Sequence, residues 1–271
     1  MKALKEKLKN GYISILDYFN EAFKLFWHLI RKEKKWILLI FAILLITAII
    51  EKKLQTITLL NSKINLEYIF ISHFLTYPLY ATYWVLYRKI IFKLTDRNEN
   101  LNILKSYIKA FITAIIISIP ILIITICSFY IDFLKYSHSY ELISLISQIS
   151  LSVIIFSVVV ACIFIYFLQV HMSKDLPLKE TLNYTLEVSQ SNRWRYIVCF
   201  LIESAAVFFI KTIIKTVTAF FMILLHLNIE SIGIIVFKAF IENFVPALSA
   251  VYSISLISII FVNVNYQKQK K

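Results

Sequence analysis

Long apolar runs separated by short charged segments dominate the chain. The apolar runs lie at about 36–50, 68–91, 108–130, 142–170, 194–214 and 246–266. A helix needs about 20 mainly apolar residues to cross the hydrocarbon core of a bilayer, and most of these runs approach that length. We therefore predict an all-α, polytopic membrane protein with six transmembrane helices in a domain over 36–266, a cytoplasmic segment over 1–35 and a basic cytoplasmic tail over 267–271.

Two polar segments have the periodicity of amphipathic helices. In the first, residues 12–33, one face carries Ile15, Phe19, Ala22, Phe26 and Ile30, and the charged side chains fall on another face. A helix of this kind lies along the membrane interface with its apolar face in lipid. We predict one such helix within 12–33 and a second at 177–190. Three times, an amphipathic or charged segment leads into a span, which suggests three helical hairpins.

The fifth apolar run contains Lys211 and Lys215, and two interpretations account for them. Either the charges lie within the membrane, or the span ends near Lys211 and both side chains reach the outer surface. At about 1.5 Å per residue, 194–210 already covers about 25 Å, and lysine stems extend readily toward water. We favour the second interpretation, in which residues 216–245 form an outer layer rather than two further spans.

Basic residues are unevenly distributed between the connections. Most of the 29 Lys and Arg residues lie in four segments, 1–35, 88–109, 174–195 and 268–271. These segments alternate with poorly charged ones, and positive charge marks the cytoplasmic side of a membrane protein. We therefore predict a plasma (inner) membrane protein with both termini in the cytoplasm. The candidate interface anchors are Trp36, Trp84, Trp194, Arg88, Arg193 and Arg195.

Composition narrows the class of function. Apolar residues make up 59% of the chain, and the formal net charge is +13. We attribute that charge to the cytoplasmic segments, where it suits anionic lipid headgroups, and not to nucleic-acid binding. Two glycines and three widely separated cysteines provide no nucleotide-binding loop and no metal-binding motif, and no HExxH motif occurs. We expect no cofactor and no enzyme activity.

Glu203 is the strongest candidate for a functional residue. It lies near the middle of the fifth run, where an ionisable side chain costs roughly 2.5–3.5 kcal/mol on membrane-insertion scales. A hydrogen bond to a neighbouring helix and a contact to a substrate or ion explain it equally well. The other candidates for polar contacts in the membrane are His73, Tyr77, Tyr80 and Tyr87, which form an aromatic stripe with Trp84. Such a stripe lines a cleft for a lipid or amphiphile or, more commonly, packs within the bundle.

The sixth run presents small residues to its neighbours. Ala247, Val251, Ser255 and Ser258 share one face, with Ser249 and Ser253 beside it. Small residues allow two membrane helices to approach closely. The stretch ESAAV at 203–207 is a candidate for the matching surface.

Two stretches resemble a known family. PLKETLNYTLEVSQSNRWRYIVCFLI, from Pro177 to Ile202, and the N-terminal ISILDYFNEAFKLF are similar to a bacterial family of uncharacterised multi-span proteins. That family includes the membrane domain attached to some glycerophosphoryl diester phosphodiesterases. Ser191 lies close to the place where the family usually has glycine. The resemblance implies a six-helix inner-membrane domain without an assigned reaction, and it carries over no catalytic residue.

Two functions are compatible with these features. The first is the non-enzymatic organisation of lipid or a partner protein through the amphipathic helices at 12–33 and 177–190. The second is a transporter or export component for an amphiphilic or small solute, suggested by Glu203 and by Pro78 and Pro120 within predicted spans. Scarce glycine weakens the second, because transporters with broken helices depend on flexible backbone. We favour the first.

Overall fold

The structure is a computed structural model that describes residues 2–61, 66–96, 102–136, 140–163, 165–224 and 232–270. All regular structure in these ranges is helical, in agreement with the predicted all-α class. The helices are α1 (Lys2–Asn10), α2 (Ile15–Lys32), α3 (Lys34–Asn61), α4 (Leu66–Leu94), α5 (Ile103–Tyr136), α6 (Tyr140–Ile163), α7 (Phe167–Ser173), α8 (Leu178–Ser189), α9 (Arg193–Leu224) and α10 (Ile232–Gln269).

Four helices in the described part of the chain are long and apolar enough to cross a membrane. The qualifying segments are Ile103–Ser128, Tyr140–Ile163, Arg193–Phe221 and Phe240–Gln269, in α5, α6, α9 and α10. The predicted third, fourth, fifth and sixth spans overlap them. The predicted first and second spans lie in α3 and α4, which are helical but are not among the four. The total of six spans therefore stays a prediction.

The predicted fourth span, 142–170, is too long. Helix α6 ends at Ile163, and α7 is a separate short helix that packs against α4 and α8. The buried Tyr166 lies at the break, and its hydroxyl donates a hydrogen bond of 3.1 Å to the carbonyl of Asn192. This hydrogen bond joins the turn before α7 to the turn before α9.

The C-terminal end of α9 and the N-terminal end of α10 also differ from expectation. Helix α9 continues past Lys211 and Lys215 to Leu224, and α10 begins well before Pro246, which lies inside it. Residues 216–224 and 232–245 are therefore extensions of α9 and α10, not a separate outer layer. The prediction of a separate layer was wrong because neither two lysines one turn apart nor one proline is sufficient to end a helix. The location of these residues outside the membrane stays a prediction.

Helix α10 is the centre of the fold. It packs against α2, α3, α4 and α9, and most of its side chains from Val251 to Asn265 are buried. Helix α4 runs parallel to it, because Tyr87 contacts Phe261 whereas Leu94, later in α4, accepts a hydrogen bond from Tyr266.

The C-terminal half of α10 is surrounded by a polar base, which consists of α1, α2, α7 and α8. Asn263 joins the base to α10, since its amide nitrogen donates to the carbonyls of Leu8 and Gly11, each at 2.8 Å. Its amide oxygen accepts a hydrogen bond of 2.6 Å from the hydroxyl of Tyr18. A buried amide with its donors and its acceptor paired fixes the position of both N-terminal helices.

Helix α2 is amphipathic, as predicted, but its buried face is rotated. The buried residues are Tyr18, Glu21, Ala22, Leu25, Phe26 and Leu29. Glu21 is included because Lys7 of α1 pairs with it at 3.1 Å, which supplies the charge partner that burial requires. Tyr252 of α10 contacts Phe26, whereas Asn263 contacts the start of α2, so α2 runs antiparallel to α10. Its interfacial location stays a prediction.

Candidate functional site

Glu203 lies between α9 and α10, with 6% of its surface exposed. The hydroxyl of Ser253 donates a short hydrogen bond to Oε1 of Glu203. The same hydroxyl lies 2.9 Å from the carbonyl oxygen of Ser249, one turn earlier in α10. Of the two interpretations of Glu203, the hydrogen bond to a neighbouring helix is present. It joins ESAAV to the side of α10 that carries Ser249 and Ser253.

A cavity of about 300 Å³ opens beside this hydrogen bond. Its polar wall includes Glu203, Ser253, Ser249 and Lys211, and Phe200, Val207 and Phe208 supply its apolar wall. Glu203 and Lys211 are about 12 Å apart along the axis of α9, so they are unsuited to direct pairing. They are suited to hold the two ends of one polar group.

A second cavity, of about 230 Å³, continues from the first toward the C-terminal end of α9 and the N-terminal end of α10. Lys211 lines both cavities, and Lys215 and Glu242 line the second. We call the two cavities together the α9–α10 groove. Four ionisable side chains of both signs therefore lie along one seam between two helices that are apolar enough to span a membrane.

A third cavity lies on another side of α10. It has a volume of about 300 Å³ and is lined by residues of α4, α5, α7 and α10. Tyr80, Trp84 and Tyr87 of the predicted aromatic stripe are in its wall, and so is Ser253. We call it the aromatic cavity. Ser253 thus contributes to cavities on two sides of the same helix.

The remaining candidates in the stripe do not line this cavity. Tyr77 is buried, and its hydroxyl lies 2.8 Å from the hydroxyl of Ser118 on α5. The side chain of His73 is outside the described part of the chain. The stripe therefore serves both uses considered from the sequence, packing for Tyr77 and a cavity wall for Tyr80, Trp84 and Tyr87.

The candidate interface anchors have different environments. Trp194 and Arg193 are exposed, and the guanidinium of Arg195 lies over the rings of Tyr12 and Trp194. Trp84 and Trp36 are partly buried against the core, and Arg88 is buried with 8% of its surface exposed. An exposed anchor at the lipid interface is therefore compatible with Trp194 and Arg193 but not with Arg88.

Arg88 belongs to an ion cluster that the sequence did not reveal. Its guanidinium donates two hydrogen bonds, of 3.0 and 2.6 Å, to the carboxylate of Asp175, which follows α7. The ammonium of Lys109 on α5 lies 3.3 Å from the same carboxylate and 2.6 Å from the carbonyl oxygen of His171. The cluster fastens α4 and α5 to the segment between α7 and α8.

The two titratable groups of this cluster next to α7 have shifted pKa values. Hydrogen bonds from Arg88 outweigh burial and lower the pKa of Asp175 to about 2. Burial, with the nearby charge of Lys109, lowers the pKa of His171 to about 4. At neutral pH the carboxylate is therefore charged and the imidazole is neutral.

The described residues contain no group of three or more His, Cys, Asp or Glu side chains that could hold a metal ion. What the α9–α10 groove offers is binding chemistry, with a carboxylate, two ammonium groups and hydroxyls beside aromatic and aliphatic walls. The chain matches no protein-family model, no curated protein sequence and no solved structure.

Proposed function

We propose that this protein is a non-enzymatic membrane protein that binds and organises an amphiphilic lipid in the α9–α10 groove. The observation that carries the proposal is the buried, hydrogen-bonded Glu203 beside a cavity of about 300 Å³ that Lys211 also lines. Ionisable side chains within a membrane are costly and are typically functional. A zwitterionic headgroup complements the pair, with its ammonium at Glu203 and its phosphate at Lys211.

The walls of the groove support an amphiphile over a small polar solute. Phe200, Val207 and Phe208 lie beside the polar residues, and Phe208 is mostly exposed on the outer surface of α9. A lipid can therefore place its polar group between the helices while its chains stay among the chains of the bilayer. A freely diffusing ion gains nothing from these apolar surfaces.

The proposal includes six spans with both termini on the cytoplasmic side of the plasma (inner) membrane. Residues 36–50 of α3 and 68–91 of α4 supply the two spans beyond the four apolar helices. Cytoplasmic Lys and Arg attract anionic lipid, and we expect the base to face that leaflet.

We also propose kinship with the bacterial multi-span family that includes the membrane domain of glycerophosphoryl diester phosphodiesterases. Ser191, close to the usual glycine position, has φ 66°, a left-handed conformation that glycine adopts without strain. A glycine at the equivalent position of other members would serve the same turn between α8 and α9.

Lipid retention measured by native mass spectrometry tests the proposed site. The probe is phosphatidylethanolamine, supplied to the whole protein in detergent. We expect retention by the Glu203→Gln variant to be about tenfold weaker, because hydrogen bonds to charged groups contribute about 1.5–3 kcal/mol. Glu141→Gln, a change at the exposed first turn of α6, is the matched control. Equal retention by wild type and Glu203→Gln would show that the groove is not the site.

Transport of the amphiphile is the second candidate, and Ser253 favours it specifically. Its position in the walls of two cavities makes α10 the partition between the α9–α10 groove and the aromatic cavity. Lipid exchange between leaflets in proteoliposomes distinguishes the candidates. Exchange that is faster than in protein-free vesicles and slowed by Glu203→Gln supports transport; retention without exchange supports lipid organisation.

A further inference from the structure

The aromatic cavity and the ion cluster lie end to end. Arg88 directly follows Tyr87, which lines the cavity, and Lys109 precedes the cavity residue Thr113 by one helical turn. The hydroxyl of Thr113 donates a hydrogen bond of 2.7 Å to the carbonyl of Lys109. Leu168 lines the cavity from α7, three residues before His171. Three different helices thus lead from the cavity wall to the same cluster.

The wall of the cavity is suited to hydrocarbon. Its three Ser and Thr hydroxyls already have partners, since Thr113 bonds to Lys109, Ser118 donates to the carbonyl of Ile115 at 2.8 Å, and Ser253 donates to Glu203. Aromatic and aliphatic side chains form most of the remaining surface. A polar ligand would leave its own donors and acceptors unpaired there, whereas a hydrocarbon chain would not.

The cluster at the end of the cavity retains capacity for an anion. Arg88 and Lys109 provide two positive charges against the single carboxylate of Asp175. Only 9% of the Arg88 side chain is exposed. Within the described part of the chain, its buried Nε has no hydrogen-bond partner. Lys105 lies one turn before Lys109 and adds a further exposed cation. A phosphate oxygen would satisfy the unpaired donor and the excess charge together.

We propose that the aromatic cavity and the ion cluster form a binding site for one anionic phospholipid, with an acyl chain in the cavity and the phosphate at Arg88 and Lys109. The bilayer is the source of this lipid, because the cavity lies between α4, which is predicted to span the membrane, and α5 and α10, which are long and apolar enough to do so. The inference rests on the proposed membrane insertion and lipid binding, but it uses a different site from Glu203. A negative result at one site therefore does not contradict the proposal for the other site.

Trp84 provides a direct readout, because it lines the cavity. The experiment uses the full chain with Trp27, Trp36 and Trp194 changed to Phe, in phosphatidylethanolamine vesicles. A minor fraction of lipid with brominated chains, either phosphatidylglycerol or phosphatidylethanolamine, quenches the fluorescence of a tryptophan that it contacts. We expect phosphatidylglycerol to quench Trp84 more strongly than phosphatidylethanolamine at the same fraction.

Two variants probe the two halves of the site separately. Lys109→Gln should weaken the apparent affinity for brominated phosphatidylglycerol roughly fivefold, the effect of one cation near an anionic headgroup. Ala114→Phe, which fills the cavity from α5, should reduce the quenching to the level seen with phosphatidylethanolamine.

Lys89→Gln is the matched control, because Lys89 is the next cation on α4 after Arg88 but pairs with Glu33. It should leave the quenching unchanged. Equal quenching by the two brominated lipids would overturn the proposal, since contact would then not depend on headgroup charge. Quenching that is insensitive to Ala114→Phe would also overturn it. If Glu203→Gln no longer retains phosphatidylethanolamine but brominated phosphatidylglycerol still quenches Trp84, the two sites are independent.

Discussion

Ser253 of α10 donates a hydrogen bond to the carboxylate of Glu203 of α9, although the two residues are 50 positions apart in the chain. The contact joins two helices that are each long and apolar enough to span a membrane. Because Glu203 is almost fully buried, this hydroxyl provides much of the compensation for removing the carboxylate from water.

Removal of the Ser253 hydroxyl should destabilise the protein. Ser253→Ala leaves the carboxylate of Glu203 without this partner, which costs about 1–3 kcal/mol for a buried polar group. Ser258→Ala is the control on the same helix, because the hydroxyl of Ser258 is buried without a hydrogen-bond partner in the described structure. Unfolding of both variants in mixed micelles, followed by circular dichroism, measures the difference. Equal free energies of unfolding for the two variants would contradict the role assigned to Ser253.

Glycine at position 191 should stabilise the turn between α8 and α9. Ser191 has φ 66°, and a left-handed conformation costs a residue with a side chain roughly 1–2 kcal/mol, part of which serine recovers by local hydrogen bonding. We expect Ser191→Gly to raise the free energy of unfolding by about 1 kcal/mol. Ser191→Ala, which keeps a Cβ atom, should give no increase. Thermal unfolding of both variants in detergent checks this, and a gain for alanine equal to that for glycine would contradict it.

Protonation of His171 should destabilise the folded protein in acid. The unfolded chain binds a proton at this histidine below about pH 6.5, whereas the folded chain binds it only below about pH 4. The unfolded state therefore holds more protons between these values, and stability falls as the pH is lowered from about 6.5 to about 4. The loss should be on the order of 1–2 kcal/mol after allowance for solvent screening.

His171→Phe isolates this effect, because phenylalanine retains the ring stacked on Phe167 but does not titrate. The difference in free energy of unfolding between the wild type and His171→Phe should therefore depend on pH between about pH 6.5 and about pH 4. Asp175 should contribute little there, since its pKa of about 2 and the ordinary aspartate value both lie below the window. A difference that stays constant from pH 7 to pH 4.5 would contradict the burial of a neutral His171.

The predicted topology can be tested with single cysteines. In a background with Cys127, Cys162 and Cys199 replaced by alanine, Glu141→Cys at the start of α6 should react with a membrane-impermeant maleimide on intact cells. Lys179→Cys on α8 should react only after the membrane is permeabilised. Both side chains are exposed, so burial does not limit the reaction. Labelling of position 179 from outside would overturn the cytoplasmic placement of the base.

Periodicity and charge predicted the local features of the fold. The all-helical class is confirmed, and α8, Leu178–Ser189, lies within the predicted amphipathic segment 177–190. The four helices that are apolar enough to span a membrane could be located because each depends on a continuous run of apolar side chains in the sequence. The end of a helix was harder to predict, and α9 extends well beyond Lys211. Its continuation depends on neighbours in space as well as on its own charges.

The candidate site was predictable only in part. Glu203 was found because a charge within an apolar run is conspicuous, and the small residues around Ser253 marked the surface that meets it. The cluster of Arg88 and Asp175 was missed, because the partners lie 87 positions apart and neither position is unusual by itself. Periodicity indicates which way a side chain faces along its own helix but not which side chain it meets.

The hydrogen bonds of Asn263 also determine the order in which the protein can be assembled. Leu8, whose carbonyl accepts one of them, leaves the ribosome 255 residues before Asn263 does. During this interval α1 and α2 have no α10 against which to bury their apolar faces, so lipid or a chaperone must shield them. Helices α1 and α2 therefore reach their final positions only after α10 has been synthesised. A premature stop codon before α10 would yield a product that cellular proteases remove.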